Sequence, residues 1–320
     1  MGLNRWWSES RRGRLLSILN VPIVTRRTKI FTIGSCFAIE IKRQLREHGF
    51  NALPDFSRLR IDKGRQYVNG LPEEEKYAFY DTFTIRQEYE NAFAPWDRGP
   101  ESFWVVKDRP INQNTGWPTV YQDPYRKTSF GADLEAIEGV TKQLDTCIAE
   151  GIREAEVHVI TLGLIETWRV KATGRYSCRP PATAGAGGAN EAEFHLSTYE
   201  ENVENLRRVF SLIFANNAKA HVVLTVSPVA LEATATTNDV VVANMESKSL
   251  LRAVAGTVSR EFENVHYFPS YEFAMNHDIF EEDGRHVTRD AVARIITLFF
   301  QSFGAEGLEN GLSDKLSAAE

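Results

Sequence analysis

The sequence predicts a doubly wound α/β fold, because short strand-like runs alternate with longer segments of helical period. The strand-like runs lie at 30–33, 157–162, 221–226 and 265–268. Between them, apolar residues recur every three or four positions, which is the spacing of an amphipathic helix. Parallel strands need crossover connections of this length. We therefore predict a three-layer α/β/α sandwich with a mostly parallel sheet.

The first strand–turn–helix unit carries the most informative residues, Gly34-Ser35-Cys36-Phe37-Ala38. The following helix is indicated by apolar residues at spacing four, and Gly49 supplies its end. A hydroxyl and a thiol thus stand side by side at a turn whose helix N-terminus favours an oxyanion. Either this turn presents a nucleophile, or Ser35 caps the helix and Cys36 is a small buried residue.

The segment from about 52 to 130 departs from the alternation and is rich in aromatic residues and arginine. We interpret it as an insertion over the active edge of the sheet. Aromatic rings and arginines there could stack on sugar faces or bind an anionic group, although core packing explains most such aromatics. Arg86 is the substrate contact that we would test first.

Helical periodicity and strand-like runs continue alternately to the C-terminal region. The apolar positions of the helical segments are Leu134, Ile137, Val140, Leu144 and Ile148; Val203, Leu206, Phe210 and Phe214; Leu250, Leu251 and Val254; Val292, Ile295, Ile296 and Phe299. Because ligands bind outside the carboxyl ends of parallel strands, residues just beyond those ends are candidates for a site. Cys36, Gly163 and Ser227 stand at such positions, as does the loop of residues 283–286.

The stretch Asp283-Gly284-Arg285-His286 precedes the last helical segment, with Thr288 as its N-cap. An imidazole can take a proton from a nucleophile and return it to a leaving group, while a carboxylate holds the ring in the correct tautomer. Asp283 would orient and His286 would relay the proton. The alternative is a solvated acidic turn with an ordinary histidine at the helix entry.

These motifs, in this order, resemble the GSCFA domain family, which looks like a divergent branch of the SGNH/GDSL hydrolases. Four further stretches support the resemblance, and together they extend it over about residues 28–303. They are residues 160–168 (ITLGLIETW), 225–229 (TVSPV), 244–252 (NMESKSLLR) and 267–272 (YFPSYE). The resemblance implies an SGNH/flavodoxin-like sandwich.

The resemblance also implies roles for individual residues. Aligned without gaps on the Gly-Asp-Ser of SGNH enzymes, Cys36 takes the nucleophile position, and Ser35 remains the alternative after a shift of one residue. The backbone N–H groups of the nucleophile and of Gly163 are the candidate oxyanion donors. Ile165 stands where those enzymes have an oxyanion-binding Asn, so Asn244 is a candidate replacement.

The predicted function is acyl transfer through a covalent acyl-enzyme, by an esterase or O-acyltransferase. Its substrate would be an O-acyl group, most plausibly O-acetyl, of a carbohydrate or polysaccharide precursor. Glu166 could bind substrate hydroxyls or brace the His286 loop. No metal or cofactor is required, and a transferase would use an acyl-CoA donor. The alternative is an inactive SGNH-fold module that binds a glycan or a partner.

Composition is that of an ordinary globular chain, with 320 residues, a formal net charge of −6 and 42% apolar residues. Nothing indicates a nucleic-acid-binding stripe. The three cysteines, Cys36, Cys147 and Cys178, lack paired metal-type spacing. No secretory signal or membrane span is recognised, so a cytoplasmic location is expected.

We divide the chain into a basic extension (1–27), one domain (28–303) and a flexible tail (304–320). The first 29 residues hold seven Lys or Arg against one acid, Glu9. Such an extension can contact an anionic membrane or a partner. More often it packs on its own domain or frays, and we favour that interpretation.

Overall fold

The computed structural model describes residues 19–68, 77–107, 116–126, 129–180, 191–277 and 279–305, and within these the chain forms twelve strands and seven helices. The strands are β1 (Lys29–Gly34), β2 (Asn51–Leu53), β3 (Gln66–Val68), β4 (Trp104–Lys107), β5 (Thr119–Gln122), β6 (Ser129–Gly131), β7 (Val157–Leu162), β8 (Glu166–Val170), β9 (Tyr176–Ser177), β10 (Ala192–Leu196), β11 (His221–Val226) and β12 (Val265–Tyr267). The helices are α1 (Cys36–Glu47), α2 (Thr82–Phe93), α3 (Leu134–Glu154), α4 (Tyr199–Asn216), α5 (Val240–Glu261), α6 (Ser270–Met275) and α7 (Arg289–Phe303).

The central sheet has five parallel strands in the order β12-β11-β7-β1-β2. Four of them are the predicted strands, and the predicted α/β fold with a mostly parallel sheet is confirmed. The chain moves outward from β1 to β2 and then crosses back to β7, so the strand order reverses between β1 and β7. In doubly wound sheets this switch point is where ligands bind.

Helices cover both faces of the sheet, as a three-layer sandwich requires. One face packs against α2, α3, α4 and α5, and the other packs against α1, α6 and α7. Successive strand residues point to opposite faces: Ile30 joins the second core, whereas Phe31 joins the first. Burial on both faces explains why β7 is wholly buried and reads as a continuous apolar run.

Two small antiparallel sheets flank the sandwich, in the orders β3-β6-β5-β4 and β10-β8-β9. The first lies within the aromatic segment of about 52–130. The interpretation of that whole segment as an insertion over the edge needs correction, because α2 packs between α3 and α4, with Ile85 and Tyr89 fully buried. This part of the segment therefore belongs to the core.

Residues at both ends of the described chain pack together. Val21, Ile23 and Val24 donate backbone hydrogen bonds to carbonyls at the end of α7, and Val24 is fully buried. The described part of the predicted 1–27 extension thus packs on the domain, whereas its basic residues 1–18 and the tail from 306 lie outside the described residues. No helix in the described ranges has the length and apolarity that crossing a bilayer demands.

A buried histidine in the middle of the sheet predicts acid sensitivity. His158 in β7 shares a 3.0 Å hydrogen bond with the Tyr89 hydroxyl, and burial lowers its pKa to about 3. Below the unfolded pKa of 6.5 the unfolded chain binds a proton that the folded chain does not. The free energy of unfolding should therefore fall as the pH drops towards 3, by about 1.4 kcal/mol per pH unit from this group.

Urea unfolding of the wild type and of His158→Gln, between the two pKa values of His158, measures what this residue contributes to the pH dependence of the free energy of unfolding. The difference between the two free energies should shrink, unit by unit, as the pH falls. Curves that stay parallel would show that His158 takes up its proton at the same pH in the folded and the unfolded chain.

Candidate active site

The β1–α1 turn lies directly against β7 at the switch point. Gly34, the last residue of β1, pairs with Thr161 and has a φ of 136°, a conformation that L side chains rarely adopt. A Cβ atom built on Gly34 would lie 2.1 Å from the Thr161 carbonyl oxygen. Only glycine therefore fits, and its close approach fixes where the next two residues point.

Ser35 points inward and caps α1. Its Oγ accepts a 3.2 Å hydrogen bond from the Phe37 N–H and shares a 3.1 Å hydrogen bond with Thr161 Oγ1. Its own N–H donates to Thr161 Oγ1 at 2.9 Å, and the residue is only 2% exposed. A hydroxyl held in this way stabilises the turn and is poorly placed to attack a substrate.

Cys36 is the first residue of α1, and its thiol is partly exposed. Burial raises the pKa of the thiol, and the positive charges of Lys248 and Arg285 oppose that rise. A nearby carboxylate, Glu40, acts in the opposite direction. Of the two candidate nucleophiles, Cys36 is the more accessible, and nearby positive charges oppose the rise in its pKa, although burial still holds that pKa above the ordinary value.

Lys248 in α5 is a site residue that sequence reasoning did not single out. Its side chain is fully buried, and its Nζ donates to the carbonyl oxygens of Gly163 (2.9 Å) and Val229 (2.8 Å). It thereby ties together the loops that follow β7 and β11. Burial lowers the pKa of Lys248 to about 7, and the charge of Cys36 acts to raise it.

Gly163 packs against the Ser35 turn, and its N–H is already engaged. This N–H donates to the Tyr80 carbonyl oxygen at 3.0 Å, and the Leu164 N–H donates to the same oxygen. A Cβ atom on Gly163 would lie 2.8 Å from that oxygen and 3.3 Å from the Ser35 Cβ. The predicted role of the Gly163 N–H as an oxyanion donor does not fit this arrangement, because the glycine serves close packing.

Tyr80 contributes a further polar group beside the thiol. Its hydroxyl accepts a 2.9 Å hydrogen bond from Arg179, and burial raises its pKa. The hydroxyl lies within electrostatic range of Cys36. Tyr80, with Arg179 bound to its hydroxyl, is therefore a polar neighbour of the thiol.

Glu166 and Asn244 both hold the loop of residues 227–236, which follows β11. Glu166 is buried and accepts hydrogen bonds from Thr234 Oγ1 (2.6 Å) and the Ala235 N–H (2.9 Å). Asn244 Oδ1 accepts from the Leu231 N–H at 3.0 Å. Glu166 therefore braces this loop rather than the His286 loop, and among the described residues no hydrogen bond engages the Nδ2 of Asn244.

The predicted Asp283–His286 pair forms within one turn. His286 Nδ1 lies 2.5 Å from Asp283 Oδ2, and the backbone N–H of His286 donates to Asp283 Oδ1 at 2.9 Å. The backbone N–H groups of His286 and Arg285, together with the ring, hold the pKa of Asp283 well below its usual range. The carboxylate is thus ready to orient the imidazole.

The imidazole is half exposed, with 52% of its side chain accessible, and among the described residues it makes no hydrogen bond to Cys36 or Ser35. Its neighbour Arg285 does act on the Cys36 thiol electrostatically and lies 3.4 Å from the Ala230 carbonyl oxygen. The Asp283–His286 turn therefore lies on the same edge of the sheet as the thiol, and its ring is open to an incoming molecule.

Arg86 is engaged within the helix layer, and its role in binding substrate stays a prediction. It is in α2, donates to Asn205 Oδ1 in α4 at 2.8 Å and lies 3.7 Å from Glu90. These contacts join two helices of the core layer. Among the described residues, Arg285 is the arginine whose charge acts on the thiol, and Arg179 binds the Tyr80 hydroxyl.

The other two cysteines differ sharply from Cys36. Cys178 is buried, and burial raises its pKa strongly. Cys147 is partly exposed and donates to the Asp55 carbonyl oxygen at 3.0 Å, and burial raises its pKa to about 11. In the part of the chain that the structure describes, no cluster of His, Cys, Asp and Glu could hold a metal ion.

The structure is thus an α/β protein whose open sheet brings a thiol, an Asp–His pair and several cations to its switch point, which makes this edge the candidate site. Residues 29–299 match the sequence model of the GSCFA family, and the chain belongs to that family. The predicted resemblance to this family is confirmed. A search of curated proteins finds no similar sequence.

Proposed function

We propose that the protein is an SGNH-like acyl-transfer enzyme that forms a covalent acyl-enzyme on Cys36. One observation carries the proposal: a partly exposed thiol begins a helix at the switch point, with the charges of Lys248 and Arg285 acting on it. A helix N-terminus and nearby cations favour the oxyanion of a tetrahedral intermediate, and they oppose the rise in the pKa of the thiol that burial causes. Ser35 supports the turn rather than attacking.

In this proposal the thiol attacks an O-acyl group and a thioester forms. The backbone N–H of Cys36 and the Nδ2 of Asn244 serve as oxyanion donors. The Asn244 carbonyl is already fixed by Leu231, which leaves the amide nitrogen available. His286, oriented by Asp283, relays a proton to or from the hydroxyl or water that exchanges with the acyl group.

The substrate class follows from the resemblance and the chemistry of the intermediate. We propose an O-acetyl group on a carbohydrate or polysaccharide precursor, because a thioester can pass its acyl group to a sugar hydroxyl as well as to water. As a transferase the enzyme would use acyl-CoA as its donor. The half-exposed imidazole faces outward, as the acceptor of such a transfer requires.

A specific observation favours a second function, that of a non-catalytic module that binds a glycan or a partner. The position that holds an oxyanion-binding Asn in SGNH enzymes is Ile165, which is buried, and the neighbouring Gly163 N–H is engaged. Loss of one such donor costs about 3 kcal/mol of transition-state stabilisation. The two functions predict opposite results in an activity assay.

An assay of turnover by the full-length protein distinguishes acyl transfer from binding without catalysis. We would measure release of acetyl groups from activated esters, acetylated sugars and an acetyl thioester, with and without sugar acceptors. Acyl transfer predicts turnover of at least one donor. Binding of a glycan without turnover of any donor would favour the second function and would refute the first.

Substitution of His286 tests its part in the proposal. His286→Ala should lower turnover by about 10² to 10⁴-fold, which is the usual contribution of a general acid–base group. Formation of the acyl-enzyme should survive, because His286 makes no hydrogen bond to the thiol. A burst of product followed by slow turnover is the expected time course.

His195→Ala provides a matched control, since His195 pairs with Glu201 at the start of α4 rather than with the site. This variant should turn over substrate at the wild-type rate. Equal rates for His286→Ala and the wild type would remove His286 from the mechanism.

A further inference from the structure

Strand β10 (Ala192–Leu196) is the longest strand at the edge of any sheet in the described part of the chain. It pairs with β8 on one side, and no described strand pairs with its other side. Proteins usually protect such an edge by keeping the strand very short or by placing lysine or proline on it. β10 contains neither residue, and its Phe194 and Leu196 are 40% and 37% exposed. The described residues therefore leave this edge open to a further strand.

The backbone groups at the open edge are those of the even-numbered residues of β10. At one end of the strand the Lys171 N–H donates to the Glu191 carbonyl oxygen, and at the other end the Ser197 N–H donates to that of Ile165. Because residues of an antiparallel pair alternate between bonded and non-bonded positions, the odd-numbered residues of this strand bond to β8. The N–H and C=O groups that point away from β8 are therefore those of Ala192, Phe194 and Leu196.

β10 is complementary to itself when a second copy of the chain lies antiparallel to it, with Phe194 opposite Phe194. In this register each outward-pointing N–H and C=O group faces the outward-pointing groups of the other copy, so about six hydrogen bonds can form between the strands. A register shifted by one residue would instead face these groups with groups that already bond to β8. We propose that two copies of the protein pair through β10 about a two-fold axis at Phe194, which joins their three-stranded sheets into one.

The side chains fit the same register. Phe194 packs against Trp168 of β8 with ring centres 5.7 Å apart, so the axis would bring two such aromatic pairs side by side. On the opposite face Glu193, whose side chain is 63% exposed, would lie opposite the partner's His195, which pairs an acidic with a basic side chain. Aromatic pairs and opposite charges directly across two strands stabilise a sheet.

The paired edges are short, so the dimer should be reversible and its fraction should rise with protein concentration. The pairing uses neither Cys36 nor the residues around it, and it therefore does not depend on acyl transfer.

Sedimentation velocity of the full-length protein over a range of concentrations tests the pairing. The mass of the wild type should approach twice the 36.2 kDa of one chain as the concentration rises. Phe194→Glu places two carboxylates opposite each other at the axis and removes the aromatic contact, and like charges directly across two strands are destabilising. This variant should raise the dissociation constant of the dimer at least about tenfold.

Val105→Glu is the matched control for this change. Val105 is also an exposed apolar residue on an edge strand, since it lies on β4 and is 42% exposed. It belongs to a different sheet, so a carboxylate there should leave the dissociation constant unchanged. An equal loss of dimer in Val105→Glu and Phe194→Glu would overturn a pairing specific to β10.

Cysteine cross-linking tests the register itself. In Phe194→Cys the two introduced residues would face each other across the axis with Cα atoms about 5.5 Å apart, a distance that a disulfide spans. Mild oxidation should link two chains, and peptide mapping should find the disulfide between the two copies of residue 194. In Glu193→Cys the introduced residues would be two positions out of register and about 8 Å apart, so the same treatment should not link them.

A wild type that remains monomeric at every concentration would overturn the pairing and leave the β10 edge to an extended segment of a different protein. A dimer that Phe194→Glu leaves intact would also overturn it, because the contact would then lie elsewhere. If Phe194→Glu fails to fold, the two cysteine variants decide. Equal cross-linking of Phe194→Cys and Glu193→Cys would contradict the proposed register, whereas linkage of Phe194→Cys alone would support it.

Discussion

Replacing Cys36 with alanine is expected to abolish acyl transfer. The thiol is the one group at the switch point that is both nucleophilic and partly exposed, since Ser35 is buried and committed to Thr161 and Phe37. Without the sulfur atom no acyl-enzyme can form. In well-studied acyl-transfer enzymes, loss of the nucleophile lowers turnover by a factor on the order of 10⁶. Steady-state turnover of the best acyl donor measures the effect.

Two further variants, one of a cysteine and one of a serine, test whether the loss of turnover is specific to Cys36. Cys147→Ala removes another partly exposed thiol, which bonds to the Asp55 carbonyl oxygen rather than to a residue of the site, and should keep wild-type turnover. Ser35→Ala removes a helix cap and should cost about 1 kcal/mol of stability while it retains activity. Turnover that survives in Cys36→Ala and disappears in Ser35→Ala would make the serine the nucleophile.

The second large effect concerns the glycine that shapes the turn. Gly34→Ala should destabilise the fold by more than about 4 kcal/mol, because a Cβ atom there meets backbone and the left-handed φ is strained for alanine. The contact is with the Thr161 carbonyl oxygen at 2.1 Å, so a rotamer change cannot relieve it. Urea unfolding, or failure to obtain folded protein, reports the loss.

Gly139→Ala is the control for this change. Gly139 lies in α3, where an added Cβ atom meets only the end of the Gln66 side chain at 3.3 Å. Alanine is the better helix former by about 1 kcal/mol, so this variant should be as stable as the wild type or slightly more so. A Gly34→Ala protein of wild-type stability would show that β1 and β7 can separate at the turn.

Much of the fold could be predicted because the central strands are buried on both faces. β1, β7 and β11 are largely apolar runs; β1 ends at Gly34, and Gly163 and Ser227 follow β7 and β11. β2 was missed because it has only three residues, Asn51–Leu53. Helix α2 was missed for a different reason: its buried face includes Thr82, Thr84, Gln87, Glu88 and Asn91, so no apolar stripe marks it.

Prediction of the site was more uneven, because a sequence shows which groups are near a strand end but not which partners they find. Asp283 and His286 could be paired, since a short turn fixes their relation. The engagement of the Gly163 N–H could not be foreseen, because Tyr80 reaches it from the segment that the sequence had indicated as an insertion. The contact of Arg86 with Asn205 in α4 could not be foreseen for the same reason.

The sequence does contain a pattern that could have identified Lys248 as a buried residue. It stands three residues before Leu251 and seven before Ala255, on the buried stripe of α5. A lysine on an apolar stripe is either covered by its own long side chain or buried with a partner. The loops after β7 and β11 that accept its hydrogen bonds come together only in the folded protein.

The most direct measurement is the mass of the protein after brief exposure to an activated acyl donor and acid quenching, followed by peptide mapping. We expect one acyl group per chain, on the peptide that contains Cys36, released by hydroxylamine as a thioester is, and more abundant in His286→Ala. No adduct with any donor, or an adduct on Ser35 or Cys147 that persists in Cys36→Ala, would contradict catalysis through the Cys36 thiol.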